Sequence, residues 1–204
     1  MSFDQLPFNA FDVLIVVILF VGIYYGRRKG MSGEMLSMFK WMCIVFGCAV
    51  LYAPIGLWFA GATNVFSTLF CYLMAYAVAA LLIALLFVGI SKGLGGKLMG
   101  SDTFGAAEYY LGMGAGMVRV TCMLLVGLAL LNARYFSSAE VKANEKFQND
   151  LYGSNFFPGL HTLQSYVFEK SLMGPVIKNN LSFVLIEPTR PEAKELHQKE
   201  ARWQ

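Results

Sequence analysis

Residues 109–131 read YYLGMGAGMVRVTCMLLVGLALL and hold a single charged side chain, that of Arg119. A helix that crosses the hydrocarbon core of a bilayer needs about 20 apolar residues, and this stretch is long enough. Arg119 lies about two helical turns after Leu111. A guanidinium at that depth costs at least about 2.5–3.5 kcal/mol, so it requires a partner, a watery crevice or a nearby interface. The stretch predicts a membrane-spanning helix, and it makes Arg119 the first candidate for a functional residue.

The composition of the whole chain agrees with a membrane environment. Of its 204 residues, 57% are hydrophobic and 14% are charged, and the mean hydropathy is +0.55. An ordinary soluble domain has about a quarter of its residues charged. The formal net charge is only +3, and the basic residues form no stripe interleaved with aromatic residues, so nucleic acid is excluded as a partner. The lipid bilayer is the expected solvent of this chain.

Four apolar stretches can be measured against the thickness of the bilayer. Because backbone polar groups in lipid must be satisfied within their own segment, each stretch is predicted to be a helix. The sequence therefore predicts an all-α membrane protein, with a four-helix transmembrane domain over residues 1–133 and an extracytoplasmic tail over residues 134–204. The predicted spans are residues 11–26, 35–53, 65–90 and 109–131.

Lysine and arginine residues are concentrated in two of the connections between these spans. The connection between spans one and two holds three of them, the connection between spans three and four holds two, and residues 53–64 hold none. Short basic connections lie on the cytoplasmic side of a membrane. Both termini are therefore predicted to be extracytoplasmic. The basic residues are Arg27, Arg28, Lys29, Lys92 and Lys97.

Glycines recur at four-residue spacing in two of the predicted spans. Gly22, Gly26 and Gly30 form one series, and Gly112 and Gly116 form another. Small residues at this spacing allow the backbones of two helices in lipid to approach closely and gain van der Waals contacts. These glycines are predicted to pack helices against each other.

The sequence gives no reason to expect a cofactor, a metal ion or a catalytic residue. The four cysteines all lie within predicted spans, and no pair of them has the spacing of a zinc site. The glycines between residues 89 and 100 lack the Gly-Lys-Ser/Thr ending of a phosphate-binding loop, which argues against a bound nucleotide. The cysteines are Cys43, Cys48, Cys71 and Cys122.

Two groups of residues resemble the sequence pattern of a known family. The first group begins near the start of span one, and the second forms an acidic-x-x-Leu-Gly-x-x-x-Gly-x-x-Arg pattern. The order and spacing of these residues and the four-span layout resemble the colicin V production protein (CvpA) family over about residues 11–131. The groups are Asp12, Gly30, Glu34, Leu36, Ser37 and Trp41, and then Glu108, Leu111, Gly112, Gly116 and Arg119.

The resemblance implies a multi-pass protein of the bacterial inner membrane. Its members are linked to production or export of the toxin colicin V and to maintenance of the cell envelope, with no agreed molecular activity. Some relatives carry a trypsin-like protease after four spans. The tail of this chain is too short for such a domain, and it has no Gly-x-Ser-x-Gly motif.

The charged residues near the spans suggest specific pairings. Arg119 should lie about 15 Å deeper than Glu108, which marks the cytoplasmic mouth of span four. An arginine side chain can extend toward the interface, so Glu34, in an intramembrane charge pair, or a backbone carbonyl near residues 30–33 is the expected partner of Arg119. The first interpretation is a structural pin between spans two and four; a path for ions, protons or a substrate and a contact with lipid phosphate are the alternatives. Asp12, at the opposite interface, should cap free N–H groups at the start of span one.

The tail is predicted to contain an amphipathic helix on the outer leaflet that stops at Gly174 and Pro175. Residues 181–186 are expected to form a short strand or an anchor, because six residues are too few to cross a bilayer. The apolar side of the helix is expected to consist of Leu160, Leu163, Val167 and Leu172.

These observations favour a non-enzymatic membrane component that acts through other membrane or envelope proteins or by self-association. The alternative function is an ion or small-solute channel or transporter with a path along Arg119 and Glu34.

Overall fold

The computed structural model describes residues 9–62, 66–94, 104–152 and 159–189. Within these ranges the chain is helical, apart from connections and one isolated β-bridge between Arg134 and Thr189. The predicted all-α class is confirmed for the described residues. The helices are α1 (Ala10–Ala62), α2 (Thr68–Gly93), α3 (Glu108–Asn132), α4 (Ser138–Tyr152), α5 (Leu160–Phe168) and α6 (Met173–Asn180), with short 3₁₀ turns at Gly105–Ala107 and Ser182–Val184.

Among the described residues, three helices are long and apolar enough to cross a membrane, judged by length and composition: α1, α2 and α3. Large apolar side chains on them point away from the protein: Phe20 is 66% exposed, and Leu82 and Leu86 are each 60% exposed. Exposed apolar surface of this kind is expected to face lipid. The chain is a membrane protein with three apolar helices.

The predicted ends of spans three and four are close to those of α2 and α3. Residue 65, where span three was predicted to begin, lies outside the described residues. Helix α2 begins at Thr68, and the Oγ of Ser67 accepts a hydrogen bond from the N–H of Phe70 at 3.3 Å. This contact satisfies one of the free N–H groups at the start of α2.

Helix α1 contains both of the first two predicted spans and has an interruption at Gly30. Its 53 residues would extend about 80 Å as one straight helix, far more than the roughly 30 Å of a hydrocarbon core. Gly30 has φ 71° and ψ 171°, a conformation that glycine adopts without steric cost. Two helical segments, residues 10–29 and 31–62, meet at this residue.

Contacts with α3 reveal the direction of each segment of α1. In the first segment, Gly22 faces Gly116 and Gly26 faces Gly112. The residue number in α3 falls as the residue number in α1 rises. The first segment is therefore antiparallel to α3.

After Gly30 the order of the contacts is reversed. Glu34 pairs with Arg119, and further along Val45 shares a small core cluster with Cys122 and Leu125. The residue numbers now rise together. The second segment therefore runs parallel to α3, and α1 folds back on itself at Gly30.

The second segment of α1 continues beyond the predicted end of span two. That span was predicted to end at residue 53, before Pro54, but α1 is helical to Ala62. A proline removes one helical hydrogen bond, yet it is tolerated in membrane helices where neighbouring groups satisfy the freed backbone. Beyond it, Gly56 lies directly against Tyr72 of α2. Packing against α2 helps to keep this part of α1 helical.

The main hydrophobic core lies at the end of the bundle remote from Gly30. The Nδ2 of Asn132 donates to the carbonyl oxygen of Ile186 at 3.0 Å, and the N–H of Glu187 donates to the Tyr52 Oη at 3.3 Å. The described tail residues thus share one core with the membrane helices. Its buried members are Phe11, Ile44, Cys48, Tyr52, Tyr76, Ala79, Leu128, Ala129, Ala133, Val167, Phe168, Leu185 and Ile186.

The tail differs in detail from the amphipathic helix that was predicted. Helix α5 ends at Phe168, and Gly174 and Pro175 lie in the first turn of α6 instead of ending a helix. Proline suits a first turn because the N–H it lacks has no helical partner there. Residues 181–186 form a 3₁₀ turn and an extended stretch, in which Val184 is 1% exposed and Ile186 is 0% exposed. This stretch anchors the tail in the protein core.

Candidate functional site

The two glycine series meet at the contact between α1 and α3. A Cβ atom on Gly112 would lie 2.5 Å from the carbonyl oxygen of Gly26 and 2.8 Å from the Cα of Gly30. A Cβ atom on Gly116 would lie 2.9 Å from the Cα of Gly26, and one on Gly22 would lie 2.9 Å from the carbonyl oxygen of Gly116. The backbones are in direct contact, so a larger residue has no space. We call this contact of Gly22, Gly26, Gly30, Gly112 and Gly116 the glycine seam.

Glu108, in the first turn of α3, binds the chain just after Gly30. Its Oε1 accepts a hydrogen bond from the backbone N–H of Ser32 at 3.1 Å and another from the Ser32 hydroxyl. The N–H groups that open a helical segment have no helical partner, so a buried acceptor stabilises that segment. A Cβ atom on Gly30 would lie 2.7 Å from the Cγ of Glu108. Glycine at position 30 thus provides both the positive φ and the room for this carboxylate.

Glu34 and Arg119 form an ion pair beside the glycine seam. The Arg119 Nη1 lies 3.1 Å from the Glu34 Oε2, and the Lys29 Nζ lies 3.5 Å from the Glu34 Oε1. The Glu34 side chain is fully buried, that of Arg119 is 14% exposed, and that of Lys29 is 53% exposed. Arg119 therefore links α3 to the second segment of α1 through a largely buried contact, while Lys29 lies between Glu34 and the surface.

The four charged groups that take part in these contacts balance, but their polar atoms are incompletely bonded. Two are acidic, Glu34 and Glu108, and two are basic, Lys29 and Arg119. In the described part of the chain, the Glu108 Oε2 and the Arg119 Nε are buried without a hydrogen-bond partner, and the Glu34 oxygens make ion pairs without hydrogen-bond geometry. Buried polar atoms left in this way are uncommon and often mark functional sites.

The structure brings together most of the residues selected from the sequence. Glu34, Glu108 and Arg119 lie around the glycine seam, whereas Asp12 lies in the first turn of α1, at the far end of the first segment. Two contributors were missed. Lys29 was considered only as a determinant of orientation, and Ser32 was not considered at all. Serine is common at the start of a helix, and Ser32 follows Gly30 by two residues. This position could have indicated Ser32 as the start of a new helical segment.

Asp12 binds the starts of two helices. Its Oδ2 accepts hydrogen bonds from the N–H of Asn9 at 3.0 Å and of Leu172 at 3.1 Å, and its Oδ1 accepts one from the N–H of Met173 at 3.1 Å. The bond to Asn9 is the expected contact at the start of α1. The other two bonds connect α1 to α6, more than 150 residues later in the sequence. Asp12 therefore anchors the tail to the first helix.

Replacing Asp12 with alanine should release the tail from α1. Three backbone N–H groups would lose a charged acceptor, and each such bond contributes about 1.5–3 kcal/mol. We expect limited digestion with trypsin to cut after Lys170 about tenfold faster in the Asp12→Ala variant, because the segment opens more often. The matched control is Thr162→Ala, because Thr162 is exposed nearby in α5 and is not a tryptic site. Equal cutting rates in the Asp12→Ala and control variants would contradict this role for Asp12.

The described residues form helices, three of which are long and apolar, and a buried charge pair joins two of these three; such a chain is an integral membrane protein. The sequence model of the colicin V production protein family matches residues 11–165, about three quarters of the chain. The protein belongs to the colicin V production protein family. The match includes every residue of the candidate site. It also extends beyond residue 131, the end of the resemblance seen in the sequence, into α5. No curated protein and no solved structure matches this chain.

Proposed function

We propose that the protein is a non-enzymatic component of toxin production or export, or of cell-envelope maintenance, that acts through partner proteins or as an oligomer. The observation that carries this proposal is the enclosure of the Glu34–Arg119 pair. Glu34 is fully buried beside a seam of touching backbones. An ion pair in such a place is suited to fixing the relative position of two helices, and it leaves the outer faces for partners.

We further propose that the two segments of α1 each cross the inner membrane, giving four crossings together with α2 and α3. The reversal at Gly30 supports this arrangement. Arg27, Arg28 and Lys29 directly precede the reversal, so the positive-inside rule places it in the cytoplasm. Both termini and the tail are then extracytoplasmic.

Cysteine labelling in a cysteine-free background tests this topology. Arg28 and Ala139 are both exposed, so neither Arg28→Cys nor Ala139→Cys should disturb the core. We expect a membrane-impermeant maleimide to label the Ala139→Cys variant from outside spheroplasts. It should label the Arg28→Cys variant only after permeabilisation. Labelling of both positions from the same side would refute the four-crossing arrangement.

A second candidate function is an ion or small-solute channel or transporter with a path along Arg119 and Glu34. The buried atoms that lack hydrogen bonds, the Arg119 Nε and the Glu108 Oε2, favour this alternative. A buried carboxylate can take up and release a proton, and a guanidinium, which stays charged, can bind an anion when a path opens.

Flux measurements in liposomes separate the two candidates. We expect the purified protein to give no specific flux of protons, Na⁺, K⁺ or Cl⁻ above that of empty liposomes. Flux that Arg119→Ala abolishes, and that a compensating change at Glu34 restores, would refute the scaffold role and establish the transport role. A heat-inactivated sample controls for leakage caused by the protein preparation.

A further inference from the structure

A groove separates the second segment of α1 from α2, near the end of the bundle that holds Gly30. Its volume is about 220 Å³. One wall belongs to α1 and the other to α2, and both carry polar as well as apolar side chains. The residues that matter for binding are Leu36, Ser37 and Lys40 from α1 and Phe87, Val88 and Ser91 from α2.

Lys40 distinguishes this groove from a simple packing defect. The described residues give it no ion pair, whereas Lys29 and Arg119 both pair with Glu34. The Lys40 ammonium lies 5.7 Å from the centre of the Trp41 ring, a contact that leaves its charge uncompensated. A lysine within an apolar segment requires an anion or water. The groove beside it offers the place for an anion.

The other lining groups suit a molecule with a phosphate and hydrocarbon chains. The hydroxyls of Ser37 and Ser91 can donate hydrogen bonds to phosphate oxygens. Leu36, Phe87 and Val88 provide apolar walls. The volume of about 220 Å³ is below the roughly 300–1,000 Å³ of sites for free drug-sized ligands. A headgroup whose chains stay in the bilayer needs no more room.

We propose that this groove binds the phosphate headgroup of an anionic phospholipid, with the Lys40 ammonium as the counter-charge. Lys40 is ten residues from Gly30, or about 15 Å along the helix, and its four-carbon stem lets the ammonium reach back toward the headgroup level. Basic pockets between membrane helices on the cytoplasmic side bind anionic headgroups in this way. The site does not involve the Glu34–Arg119 pair, and its placement on the cytoplasmic side rests on the four-crossing arrangement proposed above.

Fluorescence quenching by brominated lipids tests the proposal with the full chain. Trp41, Trp58 and Trp203 are replaced with phenylalanine, and Phe87→Trp places a single reporter in the groove wall. The protein is reconstituted in neutral phosphatidylcholine that contains equal fractions of either brominated phosphatidylglycerol or brominated phosphatidylcholine. We expect about a fivefold preference for phosphatidylglycerol, the ratio for one lysine near an anionic lipid. Lys40→Met should reduce the preference to about one, and Lys40→Arg should retain it.

Two further variants test whether the lipid preference arises in this groove. Lys92→Met removes a charge from the last turn of α2, outside the groove lining, and should leave the preference unchanged. Ser91→Ala should weaken it by about twofold through the loss of one hydrogen bond, and it keeps the test valid if the Lys40→Met variant fails to fold. Equal quenching by both lipids, or a loss in Lys92→Met as large as that in Lys40→Met, would overturn the proposal. Abolition of the preference by excess inorganic phosphate would show a site for the free ion and would also overturn it.

Discussion

Replacing Arg119 with methionine should lower the free energy of unfolding by about 3–5 kcal/mol, as removal of one partner of a buried ion pair usually does. The physical reason is the fully buried Glu34 carboxylate, which would keep only Lys29 at 3.5 Å as a counter-charge. Methionine keeps an unbranched apolar stem at this position and removes the charge. Steric trapping in bicelles measures the free energy of unfolding of a membrane protein directly.

The control for this prediction is Lys29→Met. Lys29 pairs with the same carboxylate but is 53% exposed, so its removal should cost less than about 1 kcal/mol. If both variants lost the same stability, Arg119 would not be the principal partner of Glu34.

The Gly112→Ala variant should also be strongly destabilised, by about 1–3 kcal/mol, the usual effect of overpacking a close contact. In an ordinary helix the same change is favourable by about 1 kcal/mol. Here the new Cβ would lie 2.5 Å from the Gly26 carbonyl oxygen and 2.7 Å from the Gly30 carbonyl carbon. Both are backbone atoms, so the neighbour cannot move away without separating α1 from α3. A lower thermal unfolding midpoint in detergent would report this separation.

Gly114, two residues further along α3, provides a matched control. An ideal Cβ at that position meets no atom within 4 Å, so Gly114→Ala should leave the unfolding midpoint unchanged or raise it. A midpoint for the Gly112→Ala variant as high as that of the Gly114→Ala variant would contradict the close contact at the glycine seam.

The Glu34–Arg119 pair and the close helix contact beside it were largely predictable from the sequence. The charge of Arg119 in an apolar helix required a partner, and the helical rise together with the reach of an arginine side chain indicated Glu34. The spacing of Gly112 and Gly116 indicated a close helix contact. These features were accessible because each follows from the position of a residue along a regular helix.

Two features lacked a local signal in the sequence. The sequence predicted a connection between spans one and two over residues 27–34. It did not indicate that the reversal is confined to Gly30, because that depends on a positive φ at one of many glycines. The contact between Asp12 and the start of α6 joins residues about 160 positions apart, and nothing near Asp12 indicates it. Similarly, the apolar pattern of the tail predicted that its apolar side chains are buried, but the pattern is the same for burial in lipid and burial in protein. Val167 is buried in the protein core.

The central claim is that Glu34 and Arg119 stabilise the α1–α3 contact as a pair. A double-mutant cycle with Glu34→Met, Arg119→Met and the combined variant tests it most directly. We expect the combined variant to be within about 1 kcal/mol of the wild type, because an apolar pair of similar volume replaces the ions. The coupling free energy should then be about 2 kcal/mol or more. Additive losses, with a coupling near zero, would contradict the claim.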